Sequence, residues 1–431
     1  MPALAFERAL RYFRDKGVDA VVMPGDLTEY GLVSELRHVA AIWNSVFPSD
    51  RGADGEKVAK LFILGNHDAI AWRWKSSWTG EEWKGEDRKA KWRESIARDP
   101  AAAWRECFGE DYAPILERSV KGVRFVLASW LPKPEDSSDW RGGADVPGLQ
   151  EWFDARRQAY SDGHPFFYVQ HAHPRGTCFF SSVAADSGTS TRVLSAFPNA
   201  IALSGHAHQP LTDERNVWQG AFTSIGTASL INAGGRNWRE NGAPYAQGAS
   251  PFAHMPYLKT KESRHGMYAR LYADRLEIER RDFNWGLSVG PDWTVPLDGS
   301  RAFAFEPRAA ASVAPEFSAG AAVSTEWKDG KTDDGRPMPY LRVTFPAATE
   351  FGRVYDYEAV CTVLADDHER VATTKRVLAP DFHLPPEKRG RPGEVWFARC
   401  EMPEGAKVRI SVSPINCFGK RGRNIAATVD V

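Results

Sequence analysis

The sequence predicts an α/β protein followed by an all-β sandwich. Three observations carry that reading. In the first half, short apolar runs end near a glycine or histidine and are separated by segments of helical periodicity, which indicates a sheet covered on both faces. After about Gln219 the texture changes to short strands and turns. Beyond an Ala/Pro-rich stretch at 305–320, apolar and polar residues alternate between Gly, Pro and Asp turns for about 100 residues, the pattern of a β-sandwich.

The elements follow in order. Phe6, Leu10 and Phe13 recur at helical spacing. VDAVVM (18–23) reads as a buried strand, and helical spacing returns from Ser34 to Val46. KLFIL (60–64), VRFVLAS (123–129), PFFYVQ (165–170) and NAIALS (199–204) repeat the strand form. Between them, 71–118 is polar and rich in Trp, and predicts a helical insertion that caps the sheet edge. TSIGTASLIN, GMYARLYADRLEIERRDF and WTVPL read as strands closing a first domain at 1–304. Residues 305–320 read as a linker. LRVTFP, VYDYEAVCTVL, RVATTKRVL, EVWFARC and KVRISVSPIN then build a second domain over 321–431.

Composition narrows the function. With 42% hydrophobic residues the chain can bury large cores. Lys and Arg total 55 against 56 Asp and Glu, which argues against a dedicated nucleic-acid binder. No apolar run reaches the ~18 residues that span a bilayer. Five scattered cysteines fit neither a disulfide scaffold nor a CxxC zinc site.

Four motifs sit just past the predicted strand ends. They are Gly25-Asp26, Gly65-Asn66-His67-Asp68, His171-Ala172-His173 and Gly205-His206-Ala207-His208. Ligand sites form at the carboxyl ends of strands in open α/β sheets, so all four can meet at one edge. Asp, Asn and His supply the oxygen and imidazole ligands that suit Mn, Fe or Zn. Each motif alone is common as a structural turn. A given four-residue string is expected only about 0.003 times in a chain this long, so the ordered set favours a metal site.

This ordered set resembles the calcineurin-like metallophosphoesterases over roughly residues 1–300. The resemblance implies a four-layer β-sandwich flanked by helices, with two divalent metal ions at one edge. It implies that Asp26 bridges both ions, that Asn66, the isolated His and His206 bind the second, and that His208 binds the first. The isolated His is His171, directly off its strand, with His173 behind it or facing substrate. His67 and Asp68 match the catalytic dyad. The chemistry agrees: two cations clamp phosphoryl oxygens and generate a bridging hydroxide nucleophile. His67 would protonate the leaving alkoxide, with Asp68 orienting its ring. The implied reaction is hydrolysis of a phosphomonoester or phosphodiester.

One departure stands out. The family's first motif, Asp-x-His on a strand before the first helix, is absent. Asp366-Asp367-His368 and Asp381-Phe382-His383 fall in the second domain, and a permuted motif there would thread a finished core. The simpler reading is an N-terminally truncated chain with a slot in its sheet; a binuclear phosphoesterase with two divalent ions stays the leading expectation, and a one-metal, weakly active or inactive homologue is the alternative.

The insertion holds Trp72, Trp74, Trp78, Trp83, Trp92 and Trp104. These rings either stack on sugars or bases, or pack the insertion's own core. Arg236 and Trp238, in a Gly-rich loop at 232–245, are candidates to approach substrate. The C-terminal Asn416-x-x-Gly419 turn resembles the end of a fibronectin type III module. Such modules are frequent in exported bacterial enzymes and act as spacers or docking surfaces. They imply a periplasmic or secreted setting if a leader preceded Met1, and contact with a glycan or cell surface. A glycan-binding module with a vestigial metal site is the remaining alternative.

Overall fold

The computed structural model describes residues 3–76, 80–136, 143–181, 186–232, 262–332, 334–349, 354–365 and 368–431. They form two compact units. The first takes in Met1–Leu211, Arg215–Gly235 and Ser263–Phe305; the second is mainly Glu306–Val431.

The first unit opens with α1 (Ala3–Asp15), β1 (Ala20–Met23), α2 (Val33–Val46) and β2 (Ala59–Phe62). Helix α1 buries Phe6, Ala9 and Leu10, and α2 buries Leu36, Val39, Trp43 and Val46. These i, i+3, i+4 and i+7 spacings put the apolar side chains on one stripe. Strands β1 and β2 pair in parallel, with Ala20 opposite Ala59.

The helical insertion is present. After α3 (Asn66–Ile70) come a small ribbon of β3 (Trp74–Ser76) and β4 (Glu81–Glu82), then α4 (Gly85–Glu94) and α5 (Pro100–Phe108). The tryptophans build core here. Trp72 is fully buried against the Trp92 ring, and Trp104 packs on Phe108 and Tyr112. Of the two readings for the six, packing holds for the buried ones: Trp72, Trp74, Trp83, Trp92 and Trp104 are absent from the lining of the cavity beside the metal motifs, and Trp78 lies outside the described residues.

The main sheet uses β5 (Ile115–Val120), β6 (Val123–Ala128), β7 (Phe166–Gln170), β8 (Ala200–Ser204), β9 (Val217–Gln219) and β10 (Thr223–Gly226). Its order is β5-β6-β7-β8-β10-β9, parallel through β6, β7, β8 and β10. Every residue of β7 and β8 is buried, which is why they read as continuous apolar runs. Helices α6 (Leu149–Asp154), α7 (Arg157–Tyr160) and α8 (Thr189–Leu194) accompany this sheet, with Phe153, Tyr160 and Leu194 in one buried cluster with Phe166.

A further sheet holds β11 (His265–Leu271), β12 (Arg275–Asp282), β13 (Leu287–Ser288) and β14 (Trp293–Pro296). Among the described residues β1 pairs with β2 alone and β11 with β12 alone. A cavity of about 740 Å³ is lined by all of β1 and all of β11. At one end the cavity reaches Asp26, His67, His171, His206 and His208.

The second unit begins with α9 (Phe305–Ala311), where a linker was expected. An alanine-rich run behind Glu306 has high helix propensity and a favourable charge in the first turn. Two antiparallel sheets follow. One is β15 (Ser324–Lys331), β16 (Pro337–Phe345) and β19 (Gly393–Ala398), in the order β15-β16-β19. The other is β17 (Val354–Leu364), β18 (Glu369–Leu378), β20 (Lys407–Asn416) and β21 (Ile425–Asp430), in the order β18-β17-β20-β21. Leu341, Val343, Val395 and Phe397 from the first sheet are buried, as are Ala359, Cys361, Ile410 and Val412 from the second. Three plus four strands with alternating inward residues is the architecture of an immunoglobulin or fibronectin type III sandwich. Among the described residues no helix is long and apolar enough to cross a membrane.

Candidate metal centre

The four motifs converge. Asp26 follows β1, Asn66 and His67 begin α3 after β2, His171 follows β7, and His206 and His208 follow β8. Backbone bonds tie these turns together. Gly205 N–H donates to the His171 carbonyl (3.0 Å), and Trp130 N–H to the Leu64 carbonyl (2.9 Å).

The approach is close enough to require glycine at two places. A Cβ on Gly25 would lie 2.6 Å from both Gly65 Cα and His171 Nδ1. A Cβ on Gly65 would lie 2.3 Å from Asp26 Oδ1. The side chains then face each other from strained turns. Asp26, His206 and His208 all have left-handed backbone (φ 55°, 56° and 53°). Such residues cost about 1–3 kcal/mol each and cluster at functional sites.

Four donor atoms meet. His171 Nε2 is 2.9 Å from Asn66 Oδ1 and 3.1 Å from Asp26 Oδ2. His206 Nδ1 is 3.0 Å from the same Asn66 oxygen and 3.2 Å from His171 Nε2. In a tetrahedral shell with bonds of ~2.1 Å, donors stand ~3.4 Å apart. Asp26, His171 and His206 thus form a cluster able to hold one ion, with the Asn66 oxygen added. The set fits a divalent cation: one carboxylate, one amide oxygen and two imidazoles.

Three of the rings, all but His206, are fixed through one nitrogen. His171 Nδ1 bonds the Pro24 carbonyl (2.6 Å), which leaves Nε2 facing the cluster. His67 Nδ1 bonds the Glu29 carbonyl (2.8 Å). His208 Nδ1 bonds Asn232 Oδ1 (3.0 Å), and His208 stands outside the cluster of Asp26, His171 and His206. Such partners set the tautomer and orientation of a ligating histidine.

The Asp68 role departs from expectation. Its carboxylate accepts from Gly65 N–H (2.8 Å), Leu27 N–H (3.1 Å), Thr28 N–H (2.9 Å) and the Thr28 hydroxyl (2.7 Å). The His67 ring is oriented by the Glu29 carbonyl instead. Asp68 points back from the start of α3 and fastens the Asp26 loop to the Asn66 turn. Of the two places expected for His173, the one behind the ligands fits: it is buried, outside the cavity lining, and its Nδ1 bonds the Ser204 hydroxyl (2.5 Å). Arg236 and Trp238 lie outside the described residues.

Electrostatics sort the groups. Burial works to raise the Asp26 pKa, but His171, His67 and His206 overcome it and hold the carboxyl well below its usual range. Burial pushes Asp68 up to about 6, helped by the Asp26 charge. Burial lowers His206 far and His208 less, and takes His173 down to about 4. Burial opposes protonation of His171 and His67 too, but the Asp26 charge outweighs it and raises both. Neutral His206 and His208 are the form that binds metal.

Three supporting residues were not singled out from sequence: Asn232 behind His208, Ser204 behind His173, and Trp130 beside His171 and His206. Asn232 opens the Gly-rich stretch noted above, while Ser204 and Trp130 carry no sequence signal.

Parallel strands whose carboxyl ends gather carboxylate, amide and imidazole donors define an α/β domain with a candidate metal site at one edge. Residues 3–210 match the family model of the calcineurin-like phosphoesterases, and this part of the chain is a calcineurin-like domain. A comparison with curated proteins finds no match.

Proposed function

We propose that the protein is a metal-dependent phosphoesterase that hydrolyses a phosphomonoester or phosphodiester. The observation that carries this reading is the meeting of Asp26, Asn66, His171 and His206 donor atoms on strained turns within a calcineurin-like domain. A divalent ion there supplies Lewis acidity for the phosphoryl oxygens and acidifies water.

The chain's own residues do the rest. Asp26, Asn66, His171 and His206 hold the ion. His67, whose Nδ1–H donates to the Glu29 carbonyl, lines the cavity and would deliver a proton from Nε2 to the leaving oxygen. Asp68 keeps the Asp26 and Asn66 turns in register. His208, fixed by Asn232, stands beside Asp26 on the cavity wall, as a ligand of a second ion or a contact for the phosphoryl group.

A one-ion centre is favoured over a binuclear one by the position of His208. It stands outside the cluster of Asp26, His171 and His206, and among the described residues no second group of three or more His, Cys, Asp or Glu donors comes together. The test is metal content together with hydrolysis of an aryl phosphate in Mn²⁺. Metal-dependent turnover that disappears in Asp26→Ala supports the reading. Metal-free protein, or turnover that survives Asp26→Ala, overturns it. One equivalent of metal per chain supports the one-ion form, and two the binuclear form. Glycan binding without phosphatase activity in the wild type would favour the binding-module alternative.

A further inference from the structure

The side chain closest behind the imidazole ligands is not polar. Trp130 follows β6 and is buried, and its backbone N–H is tied to the Leu64 carbonyl one residue before Gly65. Its ring centroid lies 5.9 Å from the His171 ring, edge to face at 73°, and 5.9 Å from the His206 ring at 37°. The two imidazoles are themselves 4.9 Å apart at 71°. Small residues make room for the indole: Ala69, Ala144 and Ala172 form one buried cluster with it. Gly143 abuts it so tightly that a Cβ there would fall 2.4 Å from Nε1. Among the described residues that Nε1–H is buried without a hydrogen-bond partner. Burying an unpaired donor costs roughly 1–3 kcal/mol, so the ring is kept for what its face and shape do.

We propose that Trp130 is a positioning residue of the metal centre, which fixes the His171 and His206 rings at the mutual angle that lets both nitrogens reach one ion. The inference rests on the proposed metal centre. His171 has a carbonyl partner at Nδ1, but the Nδ1 of His206 faces the donor cluster, so packing is what restrains its ring. The indole supplies that wall. It also places an electron-rich ring beside imidazoles that become more positive when they bind a cation, an arrangement that aromatic faces favour.

Co²⁺ serves as the probe, because its visible absorption reports ligand geometry. Wild type, Trp130→Ala, Trp130→Phe and the control Asp26→Ala are titrated by calorimetry and absorption, and each metal-free protein is melted. Trp130→Ala is expected to weaken Co²⁺ binding about 10- to 100-fold, the range for residues that orient ligands, and to shift the absorption bands. Trp130→Phe, which keeps a ring, is expected to recover most of the affinity. Trp130→Phe also carries a second readout. Bound Co²⁺ should quench at least about one sixteenth of the wild-type emission, the share of one tryptophan among 16. Trp130→Phe should bind Co²⁺ yet lose that quench. Unchanged affinity and spectrum in Trp130→Ala, or an unchanged quench in Trp130→Phe, overturns the proposal. If wild type binds no Co²⁺, the metal centre itself falls, a result distinct from wild-type binding that ignores Trp130.

Discussion

Gly65→Ala should disable the metal centre while Gly205→Ala spares it, although both glycines precede a proposed ligand. Gly65 has φ −104° and ψ −171°, which any L-residue adopts, so backbone strain plays no part. The added methyl would sit 2.3 Å from Asp26 Oδ1, 2.4 Å from Asp26 N and 2.9 Å from His171 Cε1. A carbon–oxygen contact needs about 3.3 Å, so the carboxylate must retreat by about 1 Å. Metal sites hold their ligand distances to about 0.2 Å. We therefore expect at least a ~100-fold loss of metal affinity, together with about 1–3 kcal/mol of lost stability from overpacking. A Cβ on Gly205 instead meets the Pro24 carbonyl at 3.4 Å and His171 Nδ1 at 3.8 Å, ordinary contact distances. Its metal affinity should stay within about tenfold of wild type. The assay is calorimetric titration with Co²⁺ beside a denaturant melt of each metal-free protein. Equal affinities for Gly65→Ala and wild type, or equal damage from the two substitutions, would refute the steric account of the site.

Other outcomes follow from the same geometry. His67→Ala should slow hydrolysis of a substrate with a poor leaving group by ~10² or more, and act far less on a good one, which kcat on paired aryl and alkyl phosphates would reveal. Asp282, fully buried, accepts from the N–H groups of Asn284 (2.8 Å) and Trp285 (3.2 Å) and faces His265. Burial works to raise its pKa, but these bonds and His265 outweigh it and hold the carboxyl below its ordinary value. Its stabilisation is therefore full above the unfolded value of about 3.9 and is lost as pH falls through the lower folded value. Asp282→Asn should cost about 1–3 kcal/mol in denaturant melts at pH 6, and the gap to wild type should close at acid pH. A gap that widens on acidification would contradict this sign. Adding metal at 100 times its dissociation constant should raise unfolding stability by about 2.7 kcal/mol, and a chelator should remove that increment.

Much of this was legible because the ligands sit where periodicity ends. VDAVVM and KLFIL read as strands, which puts Asp26 and Asn66 at strand ends. His171 and His206 followed by the same logic, since β7 and β8 are buried on both faces. What the sequence hid depends on direction rather than type. Asp68 stands next to His67 in sequence, but at the start of α3 its side chain points back to the Thr28 loop. Six tryptophans in one segment carry no mark of which face the core, and Trp72 and Trp104 are both buried. The helix at Phe305–Ala311 was hidden by the prolines and alanines that made the stretch resemble a linker. The left-handed turns at His206 and His208 are invisible to composition, because neither is glycine.

The cavity between β1 and β11 also bears on how the first unit responds to pressure. A volume of about 740 Å³ corresponds to roughly 0.45 L per mole of protein. Unfolding eliminates whatever part of that volume solvent does not already fill. A tenth of it left dry would make unfolding smaller by about 45 mL/mol, inside the range usual for whole proteins. Any part of the cavity that stays dry therefore makes hydrostatic compression destabilise this domain, and anything that fills the space between β1 and β11 would protect it.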